Sequence, residues 1–371
     1  MDPKIYELAV QLRHELHQHP ELSGEEFWTK ARLIRFLKEN TSLEIVDKGR
    51  WFYAAYRGGG TQSPVAFRAD FDALPFPDNI DAPYASIFPG KGHKCGHDGH
   101  AATLAAFAME LERNRVTRDV YLIFQHAEET GAGAKECADF IPETGVKEIY
   151  AYHNDNEGEK GTVKIFRDFY ACASMGMNIM MKGVPTHAST PEKGRNPALP
   201  IARLAAKLPE IADQSRFETL VMATIVEINV GDHAFGISPE NGRLGVTLRA
   251  VRGEDMERLR DEIIACAEEE AEAAGVEVSF SYEDIFPDTV GDEKHAEKVR
   301  QAAVVNELPY FYADAPNRGS EDFGWFLKQC PGTMFDISCG ADTPPLHSNE
   351  YDFNDEIIPD AVAMFLTLVE L

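Results

Sequence analysis

His93-Lys94-Cys95-Gly96-His97-Asp98-Gly99-His100 places three imidazoles, a thiol and a carboxylate within eight residues. Its two glycines let the backbone fold closely around whatever those side chains bind. Cys, His and Asp are the side chains that coordinate borderline first-row cations, and a thiolate beside an imidazole favours zinc or an ion like it. Three other segments carry residues of the same kind: Gln125-His126-Ala127-Glu128-Glu129-Thr130, Ala151-Tyr152-His153-Asn154-Asp155 and Pro345-Leu346-His347-Ser348. Together they point to a metal hydrolase rather than to a single structural zinc knot.

Outward from that stretch, the chain alternates strands and helices. Short apolar runs read as strands at Trp51 to Tyr56, Val65 to Phe71, Val120 to Phe124 and Glu148 to Tyr152, while the Ala-rich segment His100 to Leu111 reads as a helix. Two amphipathic helices precede them. One carries Ile5, Leu8, Leu12 and Leu16 after the capping pair Asp2-Pro3, and the other carries Phe27, Ala31, Ile34 and Leu37 after Ser23-Gly24. This alternation predicts an α/β domain with a parallel or mixed sheet. Asp70 and Asp72 then end one of these strands, His126 to Glu129 follow another and His153 follows a third, where open α/β sheets gather their ligands.

The texture changes near Ala171. A strand at Met175 to Met181, a helix at Asn196 to Leu208, strands at Thr219 to Val230 and Arg243 to Val251, an acidic helix at Glu254 to Ala274 and a strand at Val276 to Tyr282 follow in order. That succession is the ferredoxin-like α+β layout. It predicts an inserted domain over 171–283 within a catalytic domain formed by 1–170 and 284–371. Helices at 293–306 and 319–329, a strand at Met334 to Ser338 and a helix from Asp355 complete the expected elements.

Composition limits the functional classes. A chain of 371 residues is long enough for about two domains, and 44% hydrophobic residues suffice for their cores. The net charge of -26 disfavours nucleic acid and anionic membrane as partners, because both would repel it. No basic opening followed by an apolar run is present, and no apolar stretch approaches a membrane span. The six cysteines are scattered without a framework, which predicts reduced thiols and a cytoplasmic location.

Arg13-His14-Glu15-Leu16-His17-Gln18-His19-Pro20-Glu21-Leu22-Ser23, Phe67-Arg68-Ala69-Asp70-Phe71-Asp72-Ala73-Leu74-Pro75 and Lys94-Cys95-Gly96-His97-Asp98-Gly99-His100 follow one another along the chain. Ala127-Glu128-Glu129, Ser320-Glu321-Asp322-Phe323 and Pro345-Leu346-His347-Ser348 come after them. This series resembles the amidohydrolase branch of the metal-dependent aminoacylase and carboxypeptidase superfamily. That branch includes hippurate hydrolases, auxin-conjugate hydrolases and N-acetyl-diaminopimelate deacetylases. The resemblance spans nearly the whole chain and implies a zinc-exopeptidase-like catalytic domain carrying an inserted ferredoxin-like lid and dimerisation domain.

It also implies two divalent cations per chain, with zinc or manganese first and nickel or cobalt as further options. Cys95, His97, Glu129, His153 and His347 would hold them, Cys95 as a bridging or single-site thiolate, and Glu128 would be the general base. Taken alone, Glu128-Glu129 would read as a solvated pair opening a helix, and His153 as a core histidine. Asp70, Asp72 and Asp98 are expected behind the ligands, since metal-binding imidazoles donate their far N–H to a carboxylate. His14, His17 and His19 belong to the family's opening helix and read as structural. In the inserted domain, His187 matches a histidine that reaches a neighbouring subunit's site to stabilise an oxyanion, and Arg249 matches a substrate-binding arginine.

The expected activity is hydrolysis of the amide of a small N-acyl amino acid or related compound by a homodimer joined through the inserted domain. The alternatives are a dipeptidase or carboxypeptidase with the same metals, and a metal-bearing binding protein without activity. Four departures from the family pattern touch specificity. Val184-Pro185-Thr186 precedes His187 where glycines are usual, His126 opens the segment usually written Pro-Ala-Glu-Glu, Gly236 stands where relatives carry an asparagine, and Asn154-Asp155-Asn156-Glu157 is more polar and acidic than the usual segment.

Overall fold

The computed structural model describes residues 1–371. The chain opens with α1 (Pro3–Gln18) and α2 (Phe27–Asn40), then β1 (Glu44–Asp47), β2 (Phe52–Tyr56) and β3 (Val65–Asp70). Next come α3 (His97–Asn114), β4 (Val120–Gln125), β5 (Glu148–Asp155), β6 (Val163–Ile165) and β7 (Ala173–Lys182). They are followed by α4 (Ala198–Ile211), β8 (Val221–Val230), β9 (Asn241–Ala250), α5 (Gly253–Ala274) and β10 (Glu277–Phe286). The last elements are α6 (Glu293–Val305), β11 (Tyr310–Tyr312), β12 (Gly332–Ser338) and α7 (Ile358–Glu370).

These elements form two compact units. The first contains residues 1–170, 289–316 and 321–371, and the second contains 171–288 and 317–320. The first holds an eight-stranded sheet in the order β1-β2-β4-β3-β5-β12-β6-β11. β3 runs parallel to β4 and β5, and β12 runs parallel to β5, whereas β2 is antiparallel to β1 and β4. The α/β class expected from the sequence is the one observed, with a mixed sheet.

Local chemistry explains the helices. Asp2 caps α1 by accepting the Lys4 N–H, Pro3 occupies its first turn, and Ile5, Ala9, Leu12 and Leu16 make its buried face. α3 is buried almost throughout, and its alanines Ala101, Ala102, Ala105, Ala106 and Ala108 let it lie close to the sheet. Phe67 from β3 meets Phe107 and Phe365 at ring separations of 4.9 and 4.7 Å, joining β3, α3 and α7 in one core. Burying each such ring contributes about 1.5–3 kcal/mol. Gly96 precedes α3 at φ 96°, and a Cβ there would strike the Asn154 side chain, so only glycine fits between Cys95 and His97.

The second unit has a four-stranded sheet in the order β8-β9-β7-β10, every pair antiparallel, with α4 and α5 in the same core. Met175, Met177, Ile179 and Met181 of β7 face that core in strict alternation. β10 continues past Tyr282 to pair Phe286 with Ser174, and Arg249 donates to the Arg318 carbonyl and to Ser320 Oγ. Those contacts extend this unit to 288 and bring 317–320 into it, beyond the 171–283 predicted from sequence.

Two expected helices differ. The segment 319–329 contains only the single helical turn Gly324–Leu327, because Glu321 and Asp322 face the interior and Glu321 accepts the Phe323 N–H. The closing helix begins at Ile358, after a 3-10 turn over Asp355–Ile357 capped by Asn354. No helix is long and apolar enough to cross a membrane.

Candidate metal centre

Strands β4, β3 and β5 lie side by side and parallel, so their carboxyl ends open on the same edge of the sheet. Asp70 ends β3, the turn holding Glu128 and Glu129 follows β4, and His153 lies within the last residues of β5 rather than after it. The loop with Cys95 enters α3 against this edge, and the His347 loop is tied to it by the His347 N–H, which donates to the Lys94 carbonyl at 2.7 Å. His347 itself takes a left-handed backbone, φ 63°, a conformation that costs a non-glycine residue and recurs at functional sites.

Five side chains converge. Cys95 Sγ lies 3.3 Å from His347 Nε2 and 3.5 Å from His153 Nε2. Glu129 Oε1 is 3.8 Å from both His97 Nε2 and His347 Nε2. His97, Glu128 and Glu129 form one group whose donor atoms all lie within 4.8 Å of one another, and two more such groups emerge around the thiol, Cys95/His97/His153 and Cys95/Glu129/His347. Cys95 belongs to both. Donors that sit about 2.0–2.3 Å from a shared cation in a tetrahedron are roughly 3.3–3.8 Å apart, which is the spacing seen here.

Two further observations test whether the set fits cations. His97 Nε2 and Glu129 Oε1 are buried without any hydrogen-bond partner, and leaving such atoms unpaired costs about 1–3 kcal/mol each. The electrostatics are also out of balance. Burial pushes the Glu128 carboxyl well above the usual range, and the charges of Glu321, Glu129 and Asp322 add to it. Glu129 is pushed up to about 7 by burial, with His97 pulling the other way. Burial likewise raises the Cys95 thiol, with Glu129 adding to it. Divalent cations would neutralise this excess negative charge and reverse those shifts. The residues fit.

Around the converging atoms, Asp72 does most of the holding. Its Oδ1 meets His97 Nδ1 at 3.1 Å, and its Oδ2 accepts the Glu129 N–H at 3.0 Å and the Ser23 hydroxyl at 2.7 Å. His153 is oriented by the neighbouring Asn154 carbonyl, 2.7 Å from Nδ1. Asp70 contacts His100 Nδ1 at 2.7 Å and accepts from Arg68 at 2.7 Å, so it orients His100 rather than a converging imidazole. Asp98 departs from expectation as well. It points away from the cluster to His17 Nδ1 at 2.8 Å, with Arg13 3.7 Å away. As the second residue of α3, its side chain is directed to α1 rather than to the sheet edge.

Sequence reasoning missed the residues behind Glu128. Arg68 is fully buried and donates to Asp70, Gln125 and Asp322, with Glu321 at 3.1 Å. Glu128, Glu321 and Asp322 form a buried carboxylate cluster beside it. The Ser320-Glu321-Asp322-Phe323 motif is visible in the sequence, but its partner Arg68 lies 254 residues from Asp322 in the chain.

His187 and Arg249 lie in the second unit. His187 pairs with Ile237 in a two-residue ladder, is exposed, and has Nδ1 2.6 Å from Ser189 Oγ. The space beside Gly236 is open, so an asparagine would fit there without a clash.

The His17 pair offers a test by pH. Burial opposes the charge on His17, but Asp98 and Asp78 outweigh it and raise the imidazolium to about 9. A folded value above the ordinary 6.5 stabilises the fold fully below pH 6.5, and the stabilisation is lost as pH rises through about 9. Thermal unfolding should therefore show a Tm that drops by a few degrees from pH 6.5 to 9.5. His17→Asn should lie below the wild type at pH 6 and converge on it above pH 9. A constant gap across that range would contradict the charged pairing.

The model of peptidase family M20/M25/M40 matches residues 66–371. The chain belongs to this family. Within it the chain is a metal-dependent amidohydrolase, in the branch that the motifs resemble. An N-acetyl-L-cysteine deacetylase of Bacillus subtilis is 29% identical over 330 residues, covering 88% of this chain and 79% of the relative. A hippurate hydrolase of Campylobacter jejuni is 26% identical, covering 99% and 97%. In three dimensions, a dinuclear metal-binding peptidase of the M20 family from Bacillus subtilis superposes with a TM-score of 0.84 at 24% identity, covering 99% of this chain and 98% of the other.

Proposed function

We propose that the protein hydrolyses the amide bond of a small N-acyl amino acid or closely related amide with two divalent cations per chain. The observation that carries this reading is the pair of donor groups sharing Cys95. Cys95, His97 and His153 would hold one cation, and Cys95, Glu129 and His347 the other. Zinc or manganese suits a thiolate, imidazole and carboxylate set, and nickel or cobalt is compatible with it. When bound, such a pair polarises the scissile carbonyl and makes water a nucleophile at neutral pH.

The chain's own residues do the rest. Glu128 stands beside the converging donors, its Oε2 3.9 Å from His97 Nε2, without belonging to either Cys95 group. It takes the proton from the attacking water and returns it to the leaving amine. Asp72 keeps His97 and the Glu129 backbone in register through the reaction. His187 and Arg249 are assigned to the oxyanion and to the substrate, with His187 acting in a partner copy of a homodimer formed through the second unit. That unit, predicted as an inserted domain over 171–283, would close over the site and expel water. The protein would work in the cytoplasm. The deacetylase and hippurate hydrolase relatives support an N-acyl amino acid as substrate.

Chelation followed by metal replacement tests the reading. Metal-stripped protein should lose hydrolysis of acetyl- and benzoyl-amino acids by roughly 10³-fold, and added zinc, manganese, cobalt or nickel should restore it. Dipeptides in the same assay separate the peptidase alternative: faster turnover of dipeptides than of every N-acyl amino acid would reassign the substrate. Metal binding without turnover of either class would leave only a binding protein.

A further inference from the structure

The turn that carries Glu128 and Glu129 is held from two sides by carboxylates. Asp72 accepts the Glu129 N–H at 3.0 Å, and Glu26 accepts the Ala127 N–H at 2.8 Å through Oε1. Glu26 immediately precedes α2 and is only 5% exposed. No positively charged partner accompanies it. The groups that face its carboxylate are backbone N–H donors of Ala127, Gly24 and its own residue, with Asp72 as a neighbouring negative charge. Burial first, and Asp72 second, push its carboxyl up to about 7. A buried acid in such surroundings is costly unless its oxygens are well used.

Ala127 is an unusual place to find such a grip. It has φ 49°, a left-handed conformation strained for an alanine. Its carbonyl receives the N–H groups of Ala132 and Gly133 at 3.2 and 3.1 Å, and the Glu128 carbonyl receives that of Gly131 at 2.8 Å. The tight turn is therefore closed on its carbonyl side by its own backbone and on its amide side by Glu26. Reversing the φ of Ala127 would swing Glu128, the next residue, away from the converging donors. Glu26 acts one residue upstream of the base and belongs to none of the donor groups.

We propose that Glu26 is a positioning residue for the reaction assigned above, locking the strained Ala127 peptide so that Glu128 faces the substrate amide and Glu129 faces His347. The assignment of Glu128 as the base rests on the proposed function, whereas the grip on Ala127 does not.

Three variants test it: Glu26→Gln, which keeps an oxygen acceptor without the charge; Glu26→Ala, which removes the acceptor; and Glu26→Asp, which draws the carboxylate back by one methylene. The first readout is amide hydrogen exchange over residues 126–133 in substrate-free protein. Exchange should quicken about tenfold or more in Glu26→Ala and Glu26→Asp and stay near wild type in Glu26→Gln. The second is steady-state kinetics with an N-acyl amino acid. There kcat should fall about 10–100-fold in Glu26→Ala with KM within about twofold, and recover to within about threefold in Glu26→Gln. If Glu26→Ala does not fold, Glu26→Asp carries the same comparison. Wild-type exchange in the turn of the shortened variant overturns the proposal, as does a Glu26→Gln protein as impaired as Glu26→Ala. If the wild type hydrolyses no amide, the proposed function fails, and the exchange data still decide whether Glu26 holds the turn.

Discussion

Glu128→Gln is expected to lower kcat on the best N-acyl amino acid by roughly 10²–10⁴-fold while both cations remain bound. Glutamine preserves the size and the acceptor oxygen of the side chain but cannot take a proton from water. Glu128 lies outside both donor groups that share Cys95, so its replacement leaves those two groups whole. It also removes one of the negative charges crowding the buried cluster with Glu321 and Asp322, so the fold should not suffer. KM should change little, because the loss falls on a proton transfer made only in the transition state. Steady-state kinetics paired with elemental analysis check this. Retained activity at unchanged metal content would remove Glu128 from the mechanism, and lost metal would make it a ligand.

The second large effect concerns Cys95. Cys95→Ala should release both cations and reduce hydrolysis by roughly 10³-fold or more, because the thiolate is common to both donor groups. His347→Ala and His153→Ala each touch one group, and each should leave one cation bound. The contrast matters more than the absolute loss. Metal-to-protein ratios after gel filtration, measured side by side for the three variants, distinguish a shared thiolate from one serving a single ion. If Cys95→Ala keeps one cation as firmly as His347→Ala does, the thiolate is not shared.

Much of this site is legible in the amino-acid sequence, because its donors sit in short motifs at the ends of apolar runs. β3, β4 and β5 are steady hydrophobic stretches that end in Asp70, Gln125 and Asp155, and a buried parallel arrangement follows from such runs. What the sequence hides depends on contacts across long separations. The Asp98 carboxylate sits in the metal-binding motif yet serves His17, which is 81 residues away and belongs to the opening helix. Arg68 reads as part of a strand, and only the fold shows it gathering Asp70, Glu321 and Asp322. Glu26 is masked by position, since an acid beside a helix N-terminus is already explained by the helix dipole. The segment 319–329 has helical composition, but its two acids are drawn inward by Arg68 and the Ala134 N–H, and the helix shrinks to one turn.

One titration tests the two-cation centre most directly. Metal-free protein is titrated with zinc or manganese while hydrolysis of an N-acyl amino acid is followed, and the metal-to-chain ratio at which the rate saturates is read. Two donor groups joined at Cys95 predict saturation at two cations per chain. Saturation at one cation, or full hydrolysis with none, would contradict it.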